Sequence, residues 1–198
     1  MCFLKKGQKL ITPQKAIVLG IVKYLDVYKE AVKELWKHSE VIAGIPVENW
    51  LIAQATQESR FNTNAVSPVG ALGIAQFMEK TAKAVGNDLK HLELFDNGFD
   101  RTNAKQSIYA QTYYMSKLFN TWNWKRSDVS RMQLALASYN AGIGNILKAQ
   151  KVSGNKKHWI EIKGSLRRVT GHHSKETTIY LSNICNYALI VEDLKNDI

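Results

Sequence analysis

Residues 46–77 read "PVENWLIAQATQESRFNTNAVSPVGALGIAQF", and the interpretation of the whole chain turns on them. Pro46 suits the start of a helix. Trp50, Leu51, Ala53 and Ala55 make that helix unusually apolar for its length, which places it near the centre of a domain. Glu58 closes it. Asn62, Asn64, Ser67, Pro68, Gly70 and Gly73 then supply turn chemistry over a stretch too short for a second domain. A carboxylate at this junction is either a solvated helix end or a proton donor beside a groove. Unpaired carbonyls and the negative pole of the macrodipole disfavour its ionisation, and apolar neighbours add to that effect. Glu58 is therefore expected to keep a proton near neutral pH, as a general acid must.

Outward from this stretch the periodicity is helical almost throughout. Pro13 opens a helix expected to reach about Lys37, with Ile17, Ile21, Tyr24, Tyr28, Val32 and Leu35 on one face. A short helix is predicted around Met78 to Val85 and a long one from Asn103 to Phe119. Another is capped by Ser127 or Asp128 and stopped by Gly142. Residues 148–175 read as a looser, lysine-rich stretch. The last helix carries Tyr180, Ile184, Tyr187, Val191 and Leu194 as a stripe. No repeat, βαβ alternation or GxGxxG loop is found. The predicted fold is mainly α, a single helical domain with at most a small hairpin, placed in the glycine-bearing loop.

The 198 residues carry 27 Lys and Arg against 17 Asp and Glu, a formal charge of +10. Such a surplus suits a polyanionic partner: nucleic acid, an anionic membrane face or a bacterial wall. No nucleic-acid reader motif is present, so that class is set aside. Cys2 and Cys185 form neither a CxxC pair nor a metal spacing and read as free thiols. The apolar run "AIVLGIV" stops at Lys23 without a small-residue cleavage site and falls far below the ~20 residues of a membrane span. The expectation is no transmembrane segment and no clear signal peptide.

The stretch "ESRFNTNAVSPVGALGIAQF" resembles the motif of the soluble, goose-lysozyme-like lytic transglycosylases. That motif is a Glu-Ser pair, an aromatic, Ala-x-Ser, Gly-Ala-x-Gly and a glutamine, here Glu58-Ser59, Phe61, Ala65, Ser67, Gly70-Ala71, Gly73 and Gln76. Two further family motifs follow in order: "SYNAG", Ser138 to Gly142, and "ETTIY", Glu176 to Tyr180. The resemblance spans about residues 40 to 190. It implies a lysozyme-like catalytic domain over 41–198, preceded by an N-terminal helical extension over 1–40. Two departures stand out: Ile74-Ala75 where the family usually has Leu-Met, and Glu79 where a proline is frequent.

The resemblance implies Glu58 as catalytic acid and Ser67, Gly73, Gln76, Tyr139, Asn140, Glu176 and Tyr180 as substrate-binding residues. Gly70, Ala71 and Gly73 would let a sugar ring approach the backbone. Gln76 would bond hydroxyls or an acetamido group, and Ser67 that same acetamido group. Tyr139 offers a ring and a hydroxyl, while Asn140 either bonds substrate or braces its helix end. Glu176 and Tyr180 share a helix face and line or support the same groove. The implied reaction cleaves the bond between N-acetylmuramic acid and N-acetylglucosamine in peptidoglycan, with Glu58 first acid and then base and a 1,6-anhydro product. It needs no metal and no cofactor. The expected partners are glycan strands and the anionic wall surface, met by a monomer in the periplasm or cell wall after phage-type or secretion-linked delivery. Two rival readings remain: hydrolysis by water with Asp88, Asp96 or Asp100 as base, and a wall-binding protein without turnover. Lys148 to Lys175 contain eight Lys or Arg residues and one acid, Glu161, a surface suited to anionic wall polymers.

Overall fold

In the computed structural model residues 11–123 and 125–195 are described, so Cys2 lies outside the described residues. Helix α1 (Pro13–Leu35) starts where Thr12 accepts from the Lys15 amide at 3.3 Å and Pro13 fills the first turn. Its predicted stripe is buried from Ile17 to Val32, with Leu35 packed at the edge of the core. Two short antiparallel strands follow, β1 (Val41–Ile42) and β2 (Ile45–Pro46). This hairpin precedes the central helix instead of forming in the glycine-bearing loop.

Helix α2 (Val47–Ser59) has ten of its thirteen residues buried, which is why its pattern shows no polar face. It lies between α1 and α8 (His173–Lys195). Gly20 lets α1 come close: a Cβ there would sit 2.5 Å from the Phe61 ring. That ring stacks on Tyr24 with centroids 5.4 Å apart.

Helix α3 (Glu79–Asp88), a 3₁₀ turn (Glu93–Phe95) and α4 (Ala104–Thr121) come next. Helix α4 is capped by Asn103 and packs on α1 and α5 (Asp128–Ala141). Of the two caps expected for α5, Ser127 is the one used, accepting from the Ser130 amide. Gly142, at φ +82°, ends α5 and redirects the chain.

The lysine-rich stretch differs from its prediction. It folds as α6 (Ile143–Val152) and α7 (Trp159–Thr170). Ile146, Ala149, Trp159, Ile162 and Leu166 are buried while the lysines point outward, so few but well-spaced apolar residues suffice to dock both helices. Glu161 closes a capping box with His158 at the start of α7. Helix α8 buries Tyr180, Ile184 and Val191, with Tyr187 and Leu194 half-buried. Among the described residues no helix is long and apolar enough to cross a membrane.

Candidate active site

The end of α2 is shaped by backbone conformation. Arg60 and Phe61 adopt φ +54° and +61°, which stops the helix directly after Ser59 and reverses the chain. The Ser59 hydroxyl donates to the Ile74 carbonyl at 2.8 Å, holding the returning loop under the helix end. Within the loop Ser67 and Ala71 pair through Ser67 N–H and the Ala71 carbonyl at 2.9 Å, and the Ser67 Oγ accepts from the Ala71 amide at 2.9 Å. Val66 bridges Leu72, and Leu72 bridges Phe77, so the loop is a folded wall without a regular strand. Arg101 clamps it from outside through the Gly70 and Phe77 carbonyls.

Glu58 lies half-buried in a groove of about 480 Å³ between this wall, α5 and α8. Six of the seven expected binding residues line the same groove: Ser67, Gln76, Tyr139, Asn140, Glu176 and Tyr180. Gly73 does not. It is buried, and a Cβ there would meet the Arg101 carbonyl oxygen at 1.8 Å. Its small size admits a neighbouring backbone, not a sugar ring. Gly70 is exposed with open space around it.

Several lining residues are spoken for by the protein. The Gln76 amide nitrogen donates to the Ala65 and Gly73 carbonyls at 3.0 and 2.9 Å, so this side chain knits the loop. The Tyr139 hydroxyl donates to the Ala75 carbonyl at 2.6 Å, while its ring packs on Phe77 and Tyr114. The Asn140 Oδ1 accepts from Thr177 at 2.8 Å, tying α5 to α8. Ser67 accepts and so keeps its own proton for a ligand. Ile74 and Ala75 are fully buried, and Met78, exposed beyond Gln76, lines the groove as an apolar contact.

The electrostatics centre on Glu58. Burial pushes its carboxyl from 4.5 up to about 7, against the stabilising hydrogen bond from Tyr180, and the Glu176 carboxylate adds to the rise. The Tyr180 hydroxyl donates to the Glu58 Oε1 at 2.6 Å. Burial and then the Glu58 charge hold the Tyr139 and Tyr180 phenols well above their usual range. The groove continues past Asn140 and Glu176 into a second depression of about 360 Å³ bordered by Val169, Thr170 and His173. The three aspartates considered as a base lie elsewhere. Asp88 binds Lys117 and Tyr113, Asp100 caps the Thr102 turn, and Asp96 borders a separate depression beside Phe99. Among the described residues no cluster of His, Cys, Asp or Glu is placed to hold a metal ion.

The family of the transglycosylase SLT domain matches residues 34–162, well over half of the sequence. The chain belongs to this family. SLT-domain relatives include membrane-bound lytic murein transglycosylase F of Haemophilus influenzae, 32% identical over 120 residues, 59% of this chain and 23% of that protein. The protein of the same name from Saccharophagus degradans is 31% identical over 156 residues, 71% of this chain and 29% of its own length. The chain thus spans roughly a quarter to a third of the curated relatives it matches. Its fold matches that of about a quarter of the 70 kDa soluble lytic transglycosylase of Escherichia coli, with TM-score 0.64 and 22% identity over 86% of this chain and 24% of that one. An inactive variant of the lytic transglycosylase Slt from Pseudomonas aeruginosa matches similarly, with TM-score 0.62 and 23% identity over 90% of this chain and 26% of the other.

Residues that the sequence did not single out also shape this SLT site. Gln54 reaches the Tyr180 hydroxyl from behind at 3.1 Å, and Arg101 fixes the loop. The available signal for Gln54 was an amide set between Ala53 and Ala55 in the most apolar part of the helix.

Proposed function

We propose that this chain is a peptidoglycan lytic transglycosylase that cleaves the β-1,4 bond between N-acetylmuramic acid and N-acetylglucosamine. The observation that carries this reading is the Glu58 carboxyl, half-buried in an open groove and pushed by burial up to about 7, so that it holds a proton in part at neutral pH. Glu58 gives its proton to the bridging oxygen as that bond breaks. The acetamido oxygen of the substrate stabilises the cationic anomeric carbon, and the Ser67 hydroxyl steadies that acetamido group. Glu58, now a carboxylate, takes the proton of the muramyl 6-hydroxyl as its oxygen closes the 1,6-anhydro ring. The carboxyl is restored within one cycle, with no net uptake of water.

A poise near 7 suits both halves, since the group must give and retake a proton at the same pH. The position of Asp88, Asp96 and Asp100 outside the groove weighs against hydrolysis with any of them as base. Within the expected extension of residues 1–40, helix α1 braces the rest of the domain through α2, α4 and α8, while residues 1–10 lie outside the described residues. Glycan strands carrying anionic stem peptides are the substrate, and the exposed lysines and arginines of α6 and α7 favour that surface.

Mass spectrometry of muropeptides released from purified wall tests the assignment. Anhydro-muramyl products, lighter than hydrolytic ones by one water, are expected. A digest containing only reducing ends would replace this reading with hydrolysis, and no release at all would leave a wall-binding protein.

A further inference from the structure

Behind Glu58 a file of buried polar side chains crosses the domain. The Tyr28 hydroxyl on α1 donates to the Gln111 Oε1 on α4 at 2.9 Å. The Gln111 amide nitrogen donates to the Gln54 Oε1 on α2 at 2.9 Å, and the Gln54 amide nitrogen to the Tyr180 oxygen at 3.1 Å. Tyr180 then donates to Glu58. Tyr28, Gln54 and Gln111 are 0% exposed and Tyr180 4%, so no water competes.

The direction of this file is fixed by one atom. Gln111 also donates to the Leu51 carbonyl at 3.1 Å, and a carbonyl can only accept. The amide nitrogen of Gln111 must therefore face Leu51 and Gln54, which turns the Gln54 oxygen towards it and the Gln54 nitrogen towards Tyr180. With its oxygen occupied by that donor, Tyr180 can send its proton only to the Glu58 Oε1.

We propose that Tyr28, Gln111 and Gln54 are positioning residues that, acting through Tyr180, confine the Glu58 proton to Oε2. A proton on Oε1 would confront the Tyr180 hydroxyl proton and face the interior, away from any glycosidic oxygen. Aligned donors polarise one another, so each link also strengthens the last bond to the carboxylate. Among the described residues the other titratable groups facing Glu58 in the groove are Glu176 on α8 and Tyr139 on α5, and neither belongs to the file. Tyr28 lies outside residues 34–162, so an element beyond the family match reaches the acid.

This inference rests on Glu58 being the acid of the proposed reaction, but its primary test does not need turnover. Infrared difference titration of the Glu58 carboxyl, assigned with Glu58→Gln, reads the midpoint directly. Tyr180→Phe and Gln54→Met should each raise it by about half to one pH unit, the equivalent of one net hydrogen bond. Tyr28→Phe should raise it by less. Once Tyr180→Phe is present, Gln54→Met should add nothing. On soluble glycan strands the alkaline limb should move up in parallel, with kcat reduced and KM unchanged. A midpoint unmoved in folded Gln54→Met, or an equal shift when Tyr180 is already Phe, overturns the relay. If Gln54→Met does not fold, the near-isosteric Tyr28→Phe decides by the same midpoint, unmoved meaning refuted. A wild-type protein that releases no anhydro product refutes the activity and leaves the titration to judge the relay.

Discussion

The two polar regions of this molecule are built on opposite terms. Behind Glu58, four uncharged side chains are sealed between α1, α2, α4 and α8 and satisfy one another. Across α6 and α7, Lys148, Lys151, Lys156, Lys157, Arg167 and Arg168 stand in solvent, and Lys156 has a loose pairing with Glu161 at 3.7 Å. In a low dielectric each buried bond is expensive to lose, whereas exposed charges are screened and individually worth little. The proposed chemistry sits at the mouth of the first region, and the proposed long-range attraction belongs to the second.

Glu58→Gln attacks the first region where the effect is largest. Release of anhydro products should fall at least ~10³-fold, while sedimentation with insoluble wall stays near wild type. The loop that walls the groove offers the next contrast. Gly73→Ala should destabilise by about 3 kcal/mol or more, because the new methyl meets a backbone carbonyl at a positive φ. Gly70→Ala, with φ +85° but open space around it, should cost about 1 kcal/mol by the same thermal melts.

The raised carboxyl predicts a smaller effect with a definite sign. A carboxyl whose folded value lies above its unfolded one contributes stability below about 4.5 that is lost as pH rises through about 7. Glu58→Gln should therefore be more stable than wild type at pH 8, by on the order of 2 kcal/mol, and lose that advantage at pH 4. Activity should fall along an alkaline limb near pH 7. Smallest of all, joint reversal of Arg167 and Arg168 to Glu should weaken wall binding by a few-fold at low salt. That difference should fade at high salt, and turnover of short soluble glycans should not change.

This contrast also explains what the sequence could disclose. Apolar stripes repeat locally, so α1, α2, α4, α5 and α8 were readable from Ile17, Trp50, Ile108, Met132 and Tyr180 onward. The groove residues fall in short motifs that the fold gathers. Helices α6 and α7 escaped because lysines dilute a stripe of only five buried positions. Gly73 announced a need for smallness, yet nothing local could name Arg101 as the atom approaching it. Tyr28 and Gln111 are 83 residues apart, and Gln54 and Gln111 57, so their pairing is a property of packing alone.

The notch at Gly20 has a consequence for where this unit can be cut. A fragment trimmed to residues 34–162 would shed both outer helices, strip the stacked cover from Phe61 and leave a bare apolar core helix. Such a piece should be recovered as aggregate. The stretch that the family model matches is shorter than the stretch that packs around one core, and any transplant of this module must carry α1 and α8 with it.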